Sequence, residues 1–382
     1  MDYFRIDQVC DVNPPKDISR FKGMDISFIP MEAVSTTGEI DRSRTISGDG
    51  IKNYTVFQDR DVLFAKITPC MENGKGGIVD ELMNGYGAGS TEFIVIRPDK
   101  KKVISEWIQL FLSQSSYRIE CKNHMTGSAG QKRAPPKYIA GTIIPVPSLN
   151  EQRRIVSHIE EMFSELDNSV KTLNATKNQL IGYRRAVVKY ELQREHSGIQ
   201  WRKCTIGDVC DCLDSKRKPV NKTERASAKG LYPYYGANGE TGRIDDYIFD
   251  EELVLICEDE TFVGRIAPFS YIINGKSWVN NHAHILRGKD GIIRNKYLNY
   301  ILSYYPFLPL VTGTTGRKKL TQAALLKAPI TMCDYATQKQ VISEIESRLS
   351  ACDSIEQTVD TALQQAEAMR QSILKQAFEG RL

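Results

Sequence analysis

The octapeptide TGSAGQKR, Thr126–Arg133, returns 186 positions later as TGTTGRKK, Thr312–Lys319. At the same offset EQRRIVSHIEEMF from Glu151 lies over TQKQVISEIESRL from Thr337. Gln152, Ser157, Ile159, Glu160, Asp167 and Thr172 recur as Gln338, Ser343, Ile345, Glu346, Asp353 and Thr358, and further on Gln179, Arg184 and Lys189 recur as Gln365, Arg370 and Lys375. An ungapped match of this extent marks a tandem duplication with a long unit. Whatever this chain folds into, it must build it twice, and at 382 residues it is also too long for one ordinary core.

The most regular part of each unit predicts a long helix. From Ile155 the apolar residues fall four and three apart: Ile155, Ile159, Met162, Leu166, then Leu173, Leu180, Tyr183, Val187 and Tyr190. Ser148 or Asn150 can cap the start, Gly182 is an interior blemish, and Gly198 lies beyond the end. The second series, from about Ala336 to Phe378, places Val341, Ile345, Leu349, Cys352, Val359, Leu363, Ala366, Ile373 and Leu374 on or near one side. Neither helix can bury such a stripe alone, so each is expected to pair with the other. Antiparallel pairing would put two modules at opposite ends, roughly two-fold related.

The units also begin alike, FRIDQVCDVNPPK from Phe4 against CTIGDVCDCLDSK from Cys204, with about fourteen residues fewer inside the second. Between these ends the halves share pattern more than identity. DVLFAKI (Asp61–Ile67) parallels ELVLICE (Glu252–Glu258), and STEFIVIRP (Ser90–Pro98) parallels NNHAHILRG (Asn280–Gly288). Both pairs are expected to be buried strands. Similar strands with different residues at their ends suit two modules of one fold that bind different targets. The charge, 51 cations against 47 anions, is too even to demand a polyanion, so any basic surface must be local. No apolar run reaches membrane-spanning length and no signal peptide opens the chain. Nine cysteines without a C-x-x-C pair, and without a histidine close to Cys204, Cys210 and Cys212, read as reduced thiols of a cytoplasmic protein. Cys10 and Cys210 are expected to pack equivalent strands.

No catalytic set emerges. NPPK (Asn13–Lys16) departs at its fourth residue from the N-P-P-aromatic motif of aminomethyltransferases, and reads as a prolyl turn. Asp99, Glu120 and Lys122 match a loose nuclease pattern, but Glu120 falls at a helix end. His282 and His284 alternate on a strand without further ligands, as one contact residue and one packed residue. The glycine-basic loops are better candidates. Small residues let backbone approach phosphate, while Gly127, Gly130, Gln131, Lys132 and Arg133 in one loop, and Gly313, Gly316, Arg317, Lys318 and Lys319 in the other, supply N–H groups and charge. Strand-end loops add Lys66, Thr68 and Lys75, then Ser90 and Thr91, and in the second unit Lys216, Arg217, Tyr235, Asn238, Asn280, Asn281 and His282. Amide side chains suit adenine edges, and Arg and Lys suit guanine. The acidic run Asp245–Glu260 would face away from phosphate unless one carboxylate reads a base.

With two variable modules, two repeated helices and paired TGxxGxxK loops, the chain resembles the specificity subunits of type I restriction–modification enzymes. The carrying residues are LNEQRRIVSHIEEMF, YATQKQVISEIESRL and the ending ILKQAFEGRL (Ile373–Leu382). The resemblance implies an α+β chain: target-recognition domains of mixed α/β structure over 1–148 and 198–333, and spacer helices over 149–197 and 334–382. These helices would form an antiparallel coiled coil in a pseudo-two-fold tandem repeat. It implies a non-catalytic reader of double-stranded DNA, each domain reading half of a bipartite site, with the helices setting the gap and docking two modification subunits. S-adenosylmethionine would sit on those partners, and ATP with Mg on restriction or translocase subunits, leaving no cofactor or metal on this chain and no membrane partner. Three alternatives remain: a specificity subunit of a smaller or orphan system, a non-DNA coiled-coil scaffold, and a stand-alone metal-dependent nuclease.

Overall fold

The computed structural model describes residues 2–128, 130–193, 200–221, 230–258, 268–313 and 318–382. The chain divides into two compact units, one made of residues up to Thr172 together with Thr361–Leu382, the other of Leu173–Asp360. Both long helices are continuous, Leu149–Gln193 and Tyr335–Phe378, and each contributes one part to either unit. Gly182 does not interrupt the first of them. The Ser148 hydroxyl accepts from the Glu151 amide at its start, and Asp334 accepts from the Ala336 and Thr337 amides at the start of the second. Gly380, left-handed at φ 73°, turns the chain out of the second helix, with its N–H donating to the Ala377 carbonyl.

In the first unit a four-stranded antiparallel sheet runs in the order Cys10–Val12, Phe93–Pro98, Val62–Ala65, Gly76–Ile78. A second sheet orders Thr45–Ser47, Asp25–Ile29, Tyr86–Gly89 and Thr55–Gln58, its central pair parallel. Asp2–Arg5 pairs with Ile143–Val146. The second unit repeats this plan. Its sheets order Cys210–Cys212, Ala283–Gly288, Leu253–Cys257, Ser270–Ile273, and Gly239–Ile244, Tyr232–Gly236, Lys276–Val279, Phe249–Asp250, again with a parallel centre. Arg202–Thr205 pairs with Pro329–Met332. The topology is thus duplicated even where the two sequences share little. The expected strands at Asp61–Ile67 and Ser90–Pro98 form over their apolar cores, and Cys10 and Cys210 open equivalent strands as buried residues. NPPK is indeed a turn: Asn13 is left-handed at φ 51°, and its side chain accepts from the Val95 amide at 3.0 Å.

The helices join the module cores rather than standing apart from them. In the first unit Phe378 packs between Trp107, with ring centroids 4.6 Å apart, and Phe111, at 5.3 Å. Trp107 is fully buried and its indole donates to the Pro145 carbonyl at 2.8 Å. Ile155 and Ile159 share this core with Leu374 and Ala377. In the second unit Val341 and Ile345 pack with Val188 and Tyr297. Gln152 is buried and fully used: its amide donates to the Lys102 and Pro147 carbonyls at 2.9 and 2.8 Å and accepts from the Ile104 amide at 3.0 Å. Its repeat counterpart Gln338 donates to the Ile292 and Cys333 carbonyls and accepts from the Arg294 amide.

Within each unit the two helical segments run antiparallel. Arg154 donates to the Leu382 carbonyl, and Arg370 pairs with Asp167 while lying 4.2 Å over the Phe163 ring. In the other unit Lys177 pairs with Asp360, Arg184 with Asp353 and Glu356, and Arg348 with Glu191. Asp167 and Asp353 are repeat equivalents, as are Arg370 and Arg184. The same bridge is therefore made in both units, with the helices exchanging roles.

Candidate nucleic-acid interface

Each glycine-basic loop is closed by the same two-residue bridge. The Thr126 and Arg133 backbones exchange hydrogen bonds at 3.1 and 2.8 Å, and Thr312 and Lys319 do so at 3.0 and 2.8 Å. Gly127 and Gly313 hold matching left-handed conformations, φ 126° and 125°. A Cβ at Gly127 would come 2.9 Å from the Gln131 carbonyl, so the tight entry excludes any side chain. Gly316 and Arg317 lie outside the described residues, as do Asp259 and Glu260 of the acidic run.

In the first unit the strand-end candidates converge on this loop. The Thr68 amide donates to the Lys132 carbonyl, the Ala134 amide to the Lys66 carbonyl, and the Lys66 amide to the Glu92 carbonyl. Ser90 caps the turn by accepting from the Glu92 amide, and the Lys66 ammonium donates to the Thr91 carbonyl at 2.7 Å. Lys66, Thr68, Ser90, Thr91 and Glu92 are thus tied by hydrogen bonds to Lys132, Arg133 and Ala134 at the closure of the loop. Lys75 turns elsewhere, donating to the Met31 carbonyl. Gly130, Gln131, Lys132 and Thr91 are exposed. Arg133 grips Glu92 through Nε and Nη2, the shortest contact being 2.8 Å. That hydrogen-bonded pair holds the Glu92 carboxyl below its ordinary range and raises the guanidinium above its own.

The second unit brings together the equivalent segments. The Glu258 amide donates to the His282 carbonyl, and the Leu320 amide to the Glu258 carbonyl. Asn280 accepts from the His282 amide, as Ser90 does from Glu92, and its own amide donates to the Tyr235 carbonyl. Tyr235 ends a hairpin whose exposed tip carries Asn238. Asn281, His282 and Lys216 are exposed, and Lys318 is half-buried. Arg217 is drawn inward, pairing with Glu258 at 2.5 Å and Asp214 at 3.4 Å, while Lys319 pairs with Glu258 at 3.3 Å. His284 is buried, with Nδ1 2.5 Å from an Asp214 carboxylate oxygen and Nε2 2.7 Å from the Leu320 carbonyl oxygen. Burial opposes ionisation of Asp214, yet His284, the Ile285 amide and Arg217 together hold its carboxyl below the usual range.

Sequence reasoning missed Glu258, Asp214 and the anchoring role of His284. Glu258 sat inside an acidic run expected to face away, and only its register beside Lys319 reveals it. The residues of the nuclease pattern are engaged separately: Lys122 pairs with Glu72 at 2.9 Å and Asp99 with Lys102 at 3.6 Å. Among the described residues no group of three or more His, Cys, Asp and Glu is placed to hold a metal ion, and no helix is long and apolar enough to cross a membrane.

Comparison with known proteins places this architecture. The chain matches the Type I restriction modification DNA specificity domain family over residues 1–181 and again over 199–365. It is 37% identical to the Type I restriction enzyme EcoAI specificity subunit of Escherichia coli over 162 residues, which is 42% of this chain and 27% of that protein. Among solved structures it superposes with a TM-score of 0.80 on a chain from work on complex assembly and conformational transition of the type I R-M system, at 18% identity, covering 100% of this chain and 98% of that one. On the HsdS subunit of Thermoanaerobacter tengcongensis the TM-score is 0.57 at 20% identity, with 100% and 97% coverage. These superpositions establish the shared fold, and the two family matches fall on the two halves of the duplication. The chain belongs to the type I restriction modification DNA specificity family and carries that family's domain in two copies.

Proposed function

We propose that this chain is the sequence-reading component of a type I restriction–modification assembly. Each module would read one half of a bipartite site in double-stranded DNA. The domain limits would be 1–148 and 198–333, with helical spacers over 149–197 and 334–382. The chain would perform no chemistry itself; two modification subunits would dock on the repeated helices and carry S-adenosylmethionine, and restriction subunits would carry ATP with Mg. The paired helices would set the distance between half-sites.

The observation that carries this reading is the pair of glycine-basic loops. They close by the same bridge beside matched strand ends, yet are flanked by different polar groups, Ser90 and Thr91 in one module and Asn280, Asn281 and His282 in the other. A shared closing bridge with a lysine just before it suits phosphate positioning, which carries no sequence information, while unlike neighbours suit base readout. The relatives' names carry the same meaning: they are specificity subunits of type I restriction enzymes.

Mapping methylated adenines across the host genome, with and without the gene for this chain, tests the proposal. The expected result is a two-part, asymmetric motif that loses methylation when the chain is removed. An unchanged methylation pattern would refute it.

A further inference from the structure

The cation at the exit of each glycine loop is expected, from composition alone, to face phosphate. In both units it faces a carboxylate instead. In the first, Arg133 is held by Glu92, which precedes the strand Phe93–Pro98. In the second, Lys319 is held by Glu258, which follows the strand Leu253–Cys257, and Glu258 is itself fixed by Arg217. Glu92 and Glu258 do not correspond in the repeat: strand register, which pairs Ala65 with Phe93 and Cys257 with Ala283, makes His282 the counterpart of Glu92 and Lys66 that of Glu258, one place on from the match of DVLFAKI with ELVLICE. The partners on the loop, Arg133 and Lys319, do correspond. The same ionic tie has thus been built twice from opposite sides of one hydrogen-bonded junction. His284 adds a second hold in the second unit through the Leu320 carbonyl, the residue after Lys319.

We infer that Glu92 and Glu258 are positioning residues that clasp the glycine loops, and that Arg133 and Lys319 anchor these loops rather than binding phosphate. The phosphate-facing charge then falls to Lys132 and Lys318, one position earlier. Lys132 is exposed and makes no ion pair among the described residues. This inference rests on the reading of the modules as binders of duplex DNA. It has a counterintuitive consequence. Removing a carboxylate from a surface that faces a polyanion ordinarily tightens binding, because a repulsion is lost. If Glu92 positions the loop, its removal must weaken binding instead.

The test uses the full chain and a mixed-sequence duplex, titrated at several salt concentrations, with amide hydrogen exchange measured on the same proteins. Glu92→Gln should weaken duplex binding about three- to tenfold with an unchanged salt slope, and should speed exchange of the Thr126 and Arg133 amides about tenfold. Glu92→Asp should recover most of both. Lys132→Gln should lower the salt slope by about 0.9 and leave the exchange rates alone. Tighter binding by Glu92→Gln would show that the carboxylate acts by repelling the duplex and not by positioning the loop, and would overturn the inference. Unchanged exchange at Thr126 and Arg133 would overturn it equally. Should the wild-type chain bind no duplex at low salt, the DNA-reading proposal fails, while the exchange measurement still decides whether the clasp exists.

Discussion

Gln152 offers the sharpest test of how the long helix is fastened to its module. Its amide is completely buried and serves three backbone groups: the Lys102 and Pro147 carbonyls and the Ile104 N–H. Gln152→Leu keeps the volume nearly constant and removes all three partners. A backbone group left without a partner away from water costs about 1–3 kcal/mol. Three such groups, offset by the favourable burial of a leucine and by water reaching the half-exposed edge, give a net loss of about 2–4 kcal/mol. The loss belongs to the first unit, whose core holds Trp107. Urea unfolding followed by Trp107 fluorescence, in a background with Trp201 and Trp278 replaced by phenylalanine, reads it directly. Gln338→Leu should leave the Trp107 transition in place while destabilising the unit that holds Gln338. A change under about 0.5 kcal/mol for Gln152→Leu would show that water or a shifted backbone satisfies these groups. The amide would then not be the fastening.

Other outcomes follow from the same geometry. Phe378→Ala empties the space between Trp107 and Phe111 and should destabilise the first unit by about 3–4 kcal/mol in the same fluorescence assay. Asp167→Ala removes only a surface bridge and should cost under about 1 kcal/mol there, so a larger loss would contradict its exposed setting. Lys318→Ala should weaken binding about equally on all duplexes and reduce the salt slope by about 0.9, as measured by titration across salt concentrations. Asn280→Ala should change preference within a single half-site by about 1–3 kcal/mol, read by binding selection from a randomised duplex pool; uniform weakening would contradict a reading role.

The long helices were legible in the sequence because their signal is local and periodic. Ile155, Ile159 and Val341 announce a buried stripe before any partner is known, and Ser148 bounds the first helix, whereas the Asp334 cap of the second emerged only from the structure. The central strands were legible for the same reason, since runs such as LVLIC carry their burial in composition. The second sheet of each unit was not. Thr45–Ser47 and Phe249–Asp250 are too short to carry a pattern, and the parallel pairing of Asp25–Ile29 with Tyr86–Gly89 joins segments about sixty residues apart. The glycine loops could be located from spacing, but the fate of their charges could not. Arg133 and Lys132 look alike in a sequence; only the register that sets Glu92 beside Arg133 separates an anchored cation from an exposed one. His284 likewise becomes an anchor only once Leu320 and Asp214 are brought to either side of its ring.

The uneven spread of similarity between the halves has a physical cause in these contacts. Each long helix serves both units, so the bridge Asp167–Arg370 takes its two residues from different copies of the repeat, and Asp353–Arg184 takes the complementary two. A change at such a position in one copy of a helix must be met by the partner copy within the same unit, and this ties the two helical sequences together. The clasp Glu92–Arg133 closes within one module, and Glu258–Lys319 within the other. Either can be rebuilt from different residues so long as the loop ends up in the same place. The bridges shared between copies therefore keep their residues, while the two clasps, each confined to one copy, keep only their geometry. A chain wired in this way can alter the residues at its strand ends one module at a time without disturbing the helices on which both modules depend.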